Sequence, residues 1–301
     1  MKMLLGIDGS RYGLAATRFV GEYLAQAGRH VDLVHVLPLT VREGAAPPRQ
    51  EREHVRLPPL ARSWLERAER RLRSRGLTVS RHVRRGVPAR VIPELVSEGD
   101  YDLVIVGAAG RGDNPYLPTG SVALAMLEQH FPANLILVRE PATRRDQKVE
   151  MQHGPFLALF ATDGSTRIAQ AARRFYELFV VREPQPIALA VAQLPDAAVL
   201  AAMEAGERTQ WLRKLDHVAR SWAKAAKPLL ARPGVRPQTR VLRGRPASAI
   251  VEEAQRTGAQ LLVLGSRGAR SPAAPPLGSV ALQVARFAPC SVLLVRDQVS
   301  V

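Results

Sequence analysis

Two glycine-rich stretches, each following a short run of Leu, Val and Ile, carry the residue pattern in this sequence that is most able to bind a ligand. They are LVIVGAAGRGDNPYLPTGSVA at 103–123 and LLVLGSRGARSPAAPPLGSVA at 261–281. In both, two residues separate the first glycine from the second, and nine separate the second from a third that precedes serine. Glycine permits positive φ and lets a ligand approach the main chain closely. Successive N–H groups in such a turn, and those at the start of a helix, attract phosphate. The pattern therefore predicts two phosphate-binding loops.

These loops differ from two better-known phosphate-binding sequences. The Lys and the Ser or Thr that complete a P-loop are absent, and the dinucleotide fingerprint follows a first strand, whereas these glycines follow the fourth predicted strand. A glycine at the end of a strand is more often part of a plain turn, but the recurrence of one spacing favours a binding site. The serines after the third glycine, Ser121 and Ser279, either donate a hydrogen bond to the phosphate or cap a helix.

An Asp-Gly-Ser tripeptide follows the first apolar run of each half of the chain, beginning at Asp8 and at Asp163. Each aspartate is either a turn or capping residue, or an acceptor for an adenine amino group or a ribose hydroxyl. Val36 and Val191 each lie 28 residues after the aspartate. They are ordinary strand residues unless a base lies at this edge, where their backbone groups could read it.

The elements that must position these groups recur in the same order along the chain, so the sequence is a duplicated domain. YDLVIVGAAG matches AQLLVLGSRG, and FPANLILVRE matches APCSVLLVRD. We assign the first domain to residues 1–140 and the second to 155–301. The polar segment 141–154 between them lacks apolar periodicity and reads as a linker.

Within each copy, short continuous apolar runs alternate with longer amphipathic stretches, which predicts an α/β fold with parallel strands buried on both faces. Ligands of such sheets bind beyond the carboxyl ends of the strands, and both motifs follow strands. The proline-rich segment 38–59 reads as a loop over that edge or as disordered chain. In the first copy, strands are expected at 3–7, 31–37, 78–83, 103–106 and 135–138, and helices at 13–27, 60–75, 89–98 and 121–130.

Composition narrows the class of protein. No apolar run is long enough to span a membrane, and the single cysteine, Cys290, excludes an internal disulfide and favours a cytoplasmic location. The seven histidines lack metal-ligand spacing, so a metal site stays unknown. The net charge of +16 could favour polyanions. However, the arginines within 67–75 interleave with Glu66 and Glu69, which favours a solvated helix, and few aromatic residues accompany them for stacking on nucleic acid bases.

The Asp-Gly-Ser tripeptide, the glycine spacing and the closing APCSVLLVR together resemble the universal stress protein family, as a tandem pair covering nearly the whole chain. The resemblance implies two doubly wound domains, each a five-stranded parallel sheet of strand order 3-2-1-4-5 with helices on both faces. For the subset with this glycine motif it implies ATP as cofactor, with or without Mg²⁺. It also implies an intramolecular pseudo-dimer and leaves a homodimer open.

The resemblance assigns site residues by position. In the first copy Asp8 and Val36 would contact adenine and ribose, Val106 and Gly107 would line the pocket, and the phosphates would be held by Gly110, Gly120, Ser121 and Val122. In the second copy the matching residues are Asp163, Val191, Leu264, Gly265, Gly268, Gly278, Ser279 and Val280.

The two loops depart from the family in different ways. Asp113 in the first loop would repel a polyphosphate, whereas the second loop has Arg267 and Arg270 with no acid nearby. We therefore expect the second copy to bind a nucleotide more tightly.

Three functions fit the sequence. The leading one is an ATP-occupied regulator of the stress response without strong turnover. The second is a slow ATPase or nucleotide-dependent transferase, although no catalytic residue can be assigned, because no paired carboxylates or activated nucleophile accompany the motif. The third is polyanion binding through the arginine-rich surface, which would weaken steeply with salt.

Overall fold

The computed structural model describes residues 1–38, 57–110, 119–139, 155–266 and 277–296. The chain divides into two compact units, Met1–Glu140 with Arg296–Val301, and Pro141–Val295. The expected linker at 141–154 and all but the ends of the proline-rich segment 38–59 lie outside the described residues. No helix in the described ranges is long and apolar enough to cross a membrane.

Strands and helices alternate along the first unit. Its parallel strands lie in the order β3-β2-β1-β4-β5, which confirms the predicted topology. A π-helical turn at Val20–Leu24 extends α1. The elements are β1 (Lys2–Gly6), α1 (Arg11–Phe19), β2 (His30–Leu37), α2 (Pro59–Arg73), β3 (Thr78–Arg85), α3 (Pro88–Glu98), β4 (Leu103–Gly107), α4 (Ser121–Glu128) and β5 (Asn134–Val138).

The second unit repeats this arrangement, with the parallel order β8-β7-β6-β9-β10. Its principal difference is a short extra helix, α6, followed by a helix of 25 residues, α7, where the first unit has α2 with 15. The elements are β6 (Phe156–Thr162), α5 (Arg167–Leu178), β7 (Pro184–Gln193), α6 (Ala197–Ala202), α7 (Ala205–Leu229), β8 (Gln238–Gly244), α8 (Pro246–Thr257), β9 (Leu261–Gly265), α9 (Ser279–Phe287) and β10 (Ser291–Val295).

The central strands are buried on both faces, as continuous apolar runs predict. Every residue of β5 and β10 is buried, as are the first four of β4 and β9. A side chain added at Gly6 would touch Ile92 of α3, whereas His35, which points to the other face, meets Trp64 of α2. Helices therefore cover both faces of the sheet.

Charged groups join the outer strand of the second unit to its neighbouring helix. Glu253 on α8 is only 4% exposed, and its carboxylate accepts hydrogen bonds of 2.8 and 2.7 Å from Arg256. Arg240 of β8 lies 3.1 Å from the same carboxylate. The hydrogen bonds from Arg256, helped by Arg240, lower the pKa of Glu253 against burial, which raises it. A buried carboxylate is stable here because it is paired and hydrogen-bonded.

Replacing Glu253 by Gln removes this charge and keeps the shape of the side chain. Because the pKa of Glu253 lies below its ordinary value of 4.5, the ionised group stabilises the fold above that value and loses this effect as the pH falls through the lowered pKa. We expect Glu253→Gln to lower the free energy of unfolding at pH 7 by about 1–3 kcal/mol. The deficit should shrink between pH 5 and pH 3. Urea unfolding checks this, with the exposed Glu252→Gln as control; a deficit that does not change with pH would contradict the assignment.

Candidate functional site

The candidate site of each unit lies where two adjacent strands end at one edge of the sheet. In the first unit β1 pairs directly with β4, so the chain segments after Gly6 and after Gly107 leave side by side. A side chain added at Gly107 would lie 2.7 Å from Cβ of Tyr12 and 3.1 Å from the carbonyl oxygen of Ala109. The first turn of α1 therefore packs closely against the end of β4. The pairing of β6 with β9 repeats this adjacency in the second unit.

The Asp-Gly-Ser segment of the first unit forms a hydrogen-bonded turn that caps α1. One carboxylate oxygen of Asp8, Oδ1, accepts from the Ser10 amide at 2.9 Å and from the Ser10 hydroxyl at 2.6 Å. The Ser10 hydroxyl in turn accepts from the amide of Gly13 at 3.1 Å. Asp8 is partly buried and Ser10 is buried. The turn-and-cap interpretation of Asp8 is thus observed here.

The corresponding segment of the second unit is more open. Asp163 is exposed, and its Oδ1 accepts from the Ser165 amide at 3.1 Å. The amide of Gly164 donates to the hydroxyl of Thr162 at 3.2 Å. Helix α5 has Thr166 as its N-cap, without a side-chain capping bond. The two aspartates therefore share a sequence pattern but differ in exposure and in hydrogen bonding.

The ends of both glycine loops are closed by matching backbone hydrogen bonds. The Ala108 amide donates to the Val138 carbonyl at 2.9 Å, and the Gly120 amide donates to the Ala108 carbonyl at 2.8 Å. In the second unit Gly278 donates in the same way to Ser266 at 2.8 Å. Each loop is thus held at its base and returns the chain to the edge of the sheet. Residues 111–118 and 267–276, including Gly268, Asp113, Arg267 and Arg270, lie outside the described residues.

The glycines at these loop ends are not explained by positive φ. Gly120 and Gly278 have φ of −77° and −67° with ψ of 166° and 153°, which is extended backbone. The amide of Gly120 is also engaged within the loop. At Gly107 the close approach of Tyr12 requires the missing side chain. Glycine occupies position 107 because Tyr12 leaves no room for a side chain, and not because the backbone is left-handed. Of the two reasons for glycine given in the sequence analysis, positive φ and close approach, only close approach applies here.

Two helix N-termini follow the loops. Helix α4 begins at Ser121 after the N-cap Gly120, and α9 begins at Ser279 after the N-cap Gly278. Neither N-cap makes a side-chain capping bond, and neither helix has an acidic residue in its first turn. The first-turn amides of a helix lack acceptors within the helix, and the helix dipole is positive there. Both ends can therefore accept an anion.

The apolar residues assigned to the pocket lie in the sheet with their side chains buried. Val36 and Val191 are 6% and 7% exposed, and Val106 and Leu264 are 3% and 4% exposed. A ligand at the edge would meet their backbone groups rather than their side chains. Val122 and Val280, in the first turns of α4 and α9, are partly buried. Gly110, three residues after the end of β4, and Gly265, the last residue of β9, are partly exposed.

Two tryptophans at the same edge were missed by the sequence reasoning. A side chain added at Gly9 would overlap the fused rings of Trp64, lying 2.5 Å from Cε3, and one added at Gly164 would lie 2.8 Å from Cε2 of Trp222. Trp64 lies on α2 and Trp222 lies on α7, the long helices between the second and third strands of their units. Each indole packs on the glycine of Asp-Gly-Ser. The repeated Ser-Trp pair, at 63–64 and 221–222, was the available signal.

Comparison with known proteins assigns this architecture. A family model described as the universal stress protein family matches residues 1–139 and 158–296. The chain belongs to the universal stress protein family. Universal stress proteins of Mycolicibacterium smegmatis and Mycobacterium tuberculosis are 26% and 28% identical to it, over 98% and 99% of this chain and 97% of each relative.

Solved structures agree with this universal stress protein in fold. The crystal structure of a universal stress protein from Archaeoglobus fulgidus matches with a TM-score of 0.56 at 19% identity, over 100% of this chain and 97% of that one. A functionally unknown protein from Pseudomonas aeruginosa matches with a TM-score of 0.61 at 17% identity, over 99% and 92%.

Adding a methyl group to the glycine under each tryptophan tests these contacts. Gly9 and Gly28 both have positive φ, of 74° and 82°, but nothing lies within 4 Å of a side chain added at Gly28. We expect Gly28→Ala to destabilise by about 1 kcal/mol through backbone strain. Gly9→Ala should lower the free energy of unfolding by about 1–3 kcal/mol more than Gly28→Ala does, because Trp64 must move. Chemical denaturation and tryptophan emission measure both effects; equal losses would show that the indole moves without cost.

The different caps of α1 and α5 predict different effects of one substitution. Ser10→Ala removes the capping bond to Gly13 and the hydroxyl bond to Asp8, and should cost about 1–2 kcal/mol. Ser165→Ala removes no capping hydroxyl from α5, so its free energy of unfolding should stay within about 0.5 kcal/mol of that of the parent. Urea unfolding of both variants makes the comparison. A large loss from Ser165→Ala would mean that this serine caps α5 after all.

Proposed function

We propose that this universal stress protein binds ATP at the carboxyl edge of each unit and acts as a nucleotide-occupied regulator of the stress response, without strong turnover. The observation that carries the proposal is the repeated geometry of the loop end. In both units a backbone hydrogen bond closes the glycine loop and delivers the chain into a helix N-terminus without a capping side chain or a first-turn acid. A triphosphate suits such a terminus because it accepts several N–H donors and carries negative charge.

The aspartate at the neighbouring strand end supports a nucleoside rather than a bare polyphosphate. The turn at Asp8 lies beside the end of β4, because β1 and β4 are paired neighbours. A carboxylate can accept hydrogen bonds from ribose hydroxyls or from an adenine amino group, but it repels phosphate. In this proposal the sugar and base lie towards Asp8 and Asp163, and the phosphates lie towards α4 and α9.

Turnover is not part of the proposal. The hydroxyl of Ser10, in the Asp-Gly-Ser turn, already takes part in the cap of α1. Among the described residues, no group of three or more His, Cys, Asp and Glu is placed to hold a metal ion. A magnesium ion that accompanies ATP would therefore be coordinated chiefly by phosphate oxygens and water, as is common for Mg²⁺.

The second unit is proposed as the tighter site. Asp163 is exposed, whereas Asp8 is partly buried and accepts two hydrogen bonds from Ser10. An exposed carboxylate is more accessible to a ligand than a partly buried one. This agrees in direction with the expectation drawn from the charges of the two loops.

An acid placed at the first helical position tests the phosphate site without harming the fold. Ser121 and Ser279 are exposed, and an aspartate at a helix N-terminus is favourable for the helix itself. We expect Ser121→Asp and Ser279→Asp each to weaken ATP binding at its own site by about tenfold or more, because the carboxylate repels phosphate at close range. Adenosine affinity and the melting temperature should change little.

The uncharged variants Ser121→Asn and Ser279→Asn are matched controls, because asparagine has the shape of aspartate. Calorimetric titration of each variant with ATP and with adenosine, at two salt concentrations, gives the comparison. We expect Ser279→Asp to remove the tighter of the two ATP-binding events from the titration. Absence of ATP binding by the parent protein, or equal ATP binding by the Asp and Asn variants, would contradict the proposed site.

A further inference from the structure

The two tryptophans at the carboxyl edge occupy equivalent corners of the two units. Trp64 lies on Gly9, the neighbour of Asp8, and its ring centroid is 5.9 Å from that of His35, the neighbour of Val36. The Trp64 indole therefore lies close to the ends of both the first and the second strand of its unit.

Trp222 has the corresponding surroundings in the second unit. It lies on Gly164, the neighbour of Asp163, and packs against a small core cluster that includes Ala190, the neighbour of Val191. Each indole thus lies against the glycine that follows the aspartate assigned to adenine and ribose.

The fold leaves part of both tryptophans uncovered. Trp64 and Trp222 are both partly exposed, although an indole is the largest apolar group available for burial. A large aromatic surface left at a ligand-binding edge is what stacking on a base requires.

We propose that Trp64 and Trp222 form the aromatic wall of the base subsite in each unit and select a nucleotide over a bare polyphosphate. The inference rests on the proposed nucleotide-binding function and adds residues that the glycine and aspartate motifs do not contain. The glycine of Asp-Gly-Ser has a second role in this arrangement. Besides its positive φ of 74° or 82°, it leaves the space that the indole occupies beside the turn.

Removal of the aromatic ring should weaken base binding and leave phosphate binding intact. Base–aromatic stacking predicts a loss of ATP affinity of about 5- to 100-fold for Trp64→Leu and Trp222→Leu, each at its own site. The Phe variants should retain most of the affinity. Inorganic tripolyphosphate should bind the parent and all variants about equally, which separates the base subsite from the phosphate site and also reports that each variant is folded.

Trp211 supplies a matched control. It is a partly exposed tryptophan on the same helix as Trp222, 11 residues away, or about 16 Å along the axis. Trp211→Leu should leave ATP affinity unchanged. In a Trp211→Phe protein, ATP should quench the emission of the two remaining tryptophans, whereas tripolyphosphate should not.

The outcomes separate this inference from the proposed function. ATP binding by the parent with unchanged affinity in both Leu variants overturns the aromatic wall and leaves the nucleotide site standing. Absence of ATP binding by the parent overturns both. If the Leu variants fail to bind tripolyphosphate because they are unfolded, the emission of the Trp211→Phe protein decides, and emission unaffected by saturating ATP overturns the inference.

Discussion

The direct pairing of the first strand of each unit with the fourth is the constraint on which the site depends. Parallel strands end at the same edge of a sheet, so pairing β1 with β4 brings the turn at Asp8 beside the end of β4, and pairing β6 with β9 does the same for Asp163. The strand order reverses at this pair, which opens a crevice between the outgoing connections. The close contact of Gly107 with Tyr12 shows how narrow the approach is. Without this adjacency, the glycine loop and the aspartate turn would be unrelated segments.

Duplication has preserved the main-chain geometry of the edge more strictly than its side-chain bonds. The hydrogen bonds that close the two glycine loops are the same in both units and differ by no more than 0.1 Å. The aspartate turns, by contrast, differ in exposure and in their caps. Backbone closure depends only on the path of the chain, so many side chains are compatible with it. The two aspartate turns can therefore diverge while the backbone closure of the loops stays the same.

Much of the fold could be predicted from the sequence because the strands are buried on both faces and therefore read as continuous apolar runs. Element boundaries were less certain: Pro59 was assigned to the preceding loop, but it opens α2, since proline suits the first helical turn. The predicted first helix ends instead in a π-helical turn at Val20–Leu24, which depends on tertiary packing. The site motifs were visible as repeated spacings. The reason for glycine at Gly107 was not, because it depends on Tyr12, which is distant in sequence.

The tryptophans show why one kind of site residue escapes motif reasoning. Trp64 follows Gly9 by 55 residues, whereas Trp222 follows Gly164 by 58, so no fixed spacing links them to the turn. The segments between the second strand and the helix differ, and the second unit contains the extra helix α6. The helix nevertheless brings an indole to the same glycine in both units. Both units therefore keep the contact between tryptophan and glycine, although the connecting segments differ in length. Glycine makes this contact possible because a side chain at that position would overlap the ring. The repeated Ser-Trp pair marks the position of the indole in the sequence, but its contact with the glycine is seen only in the structure.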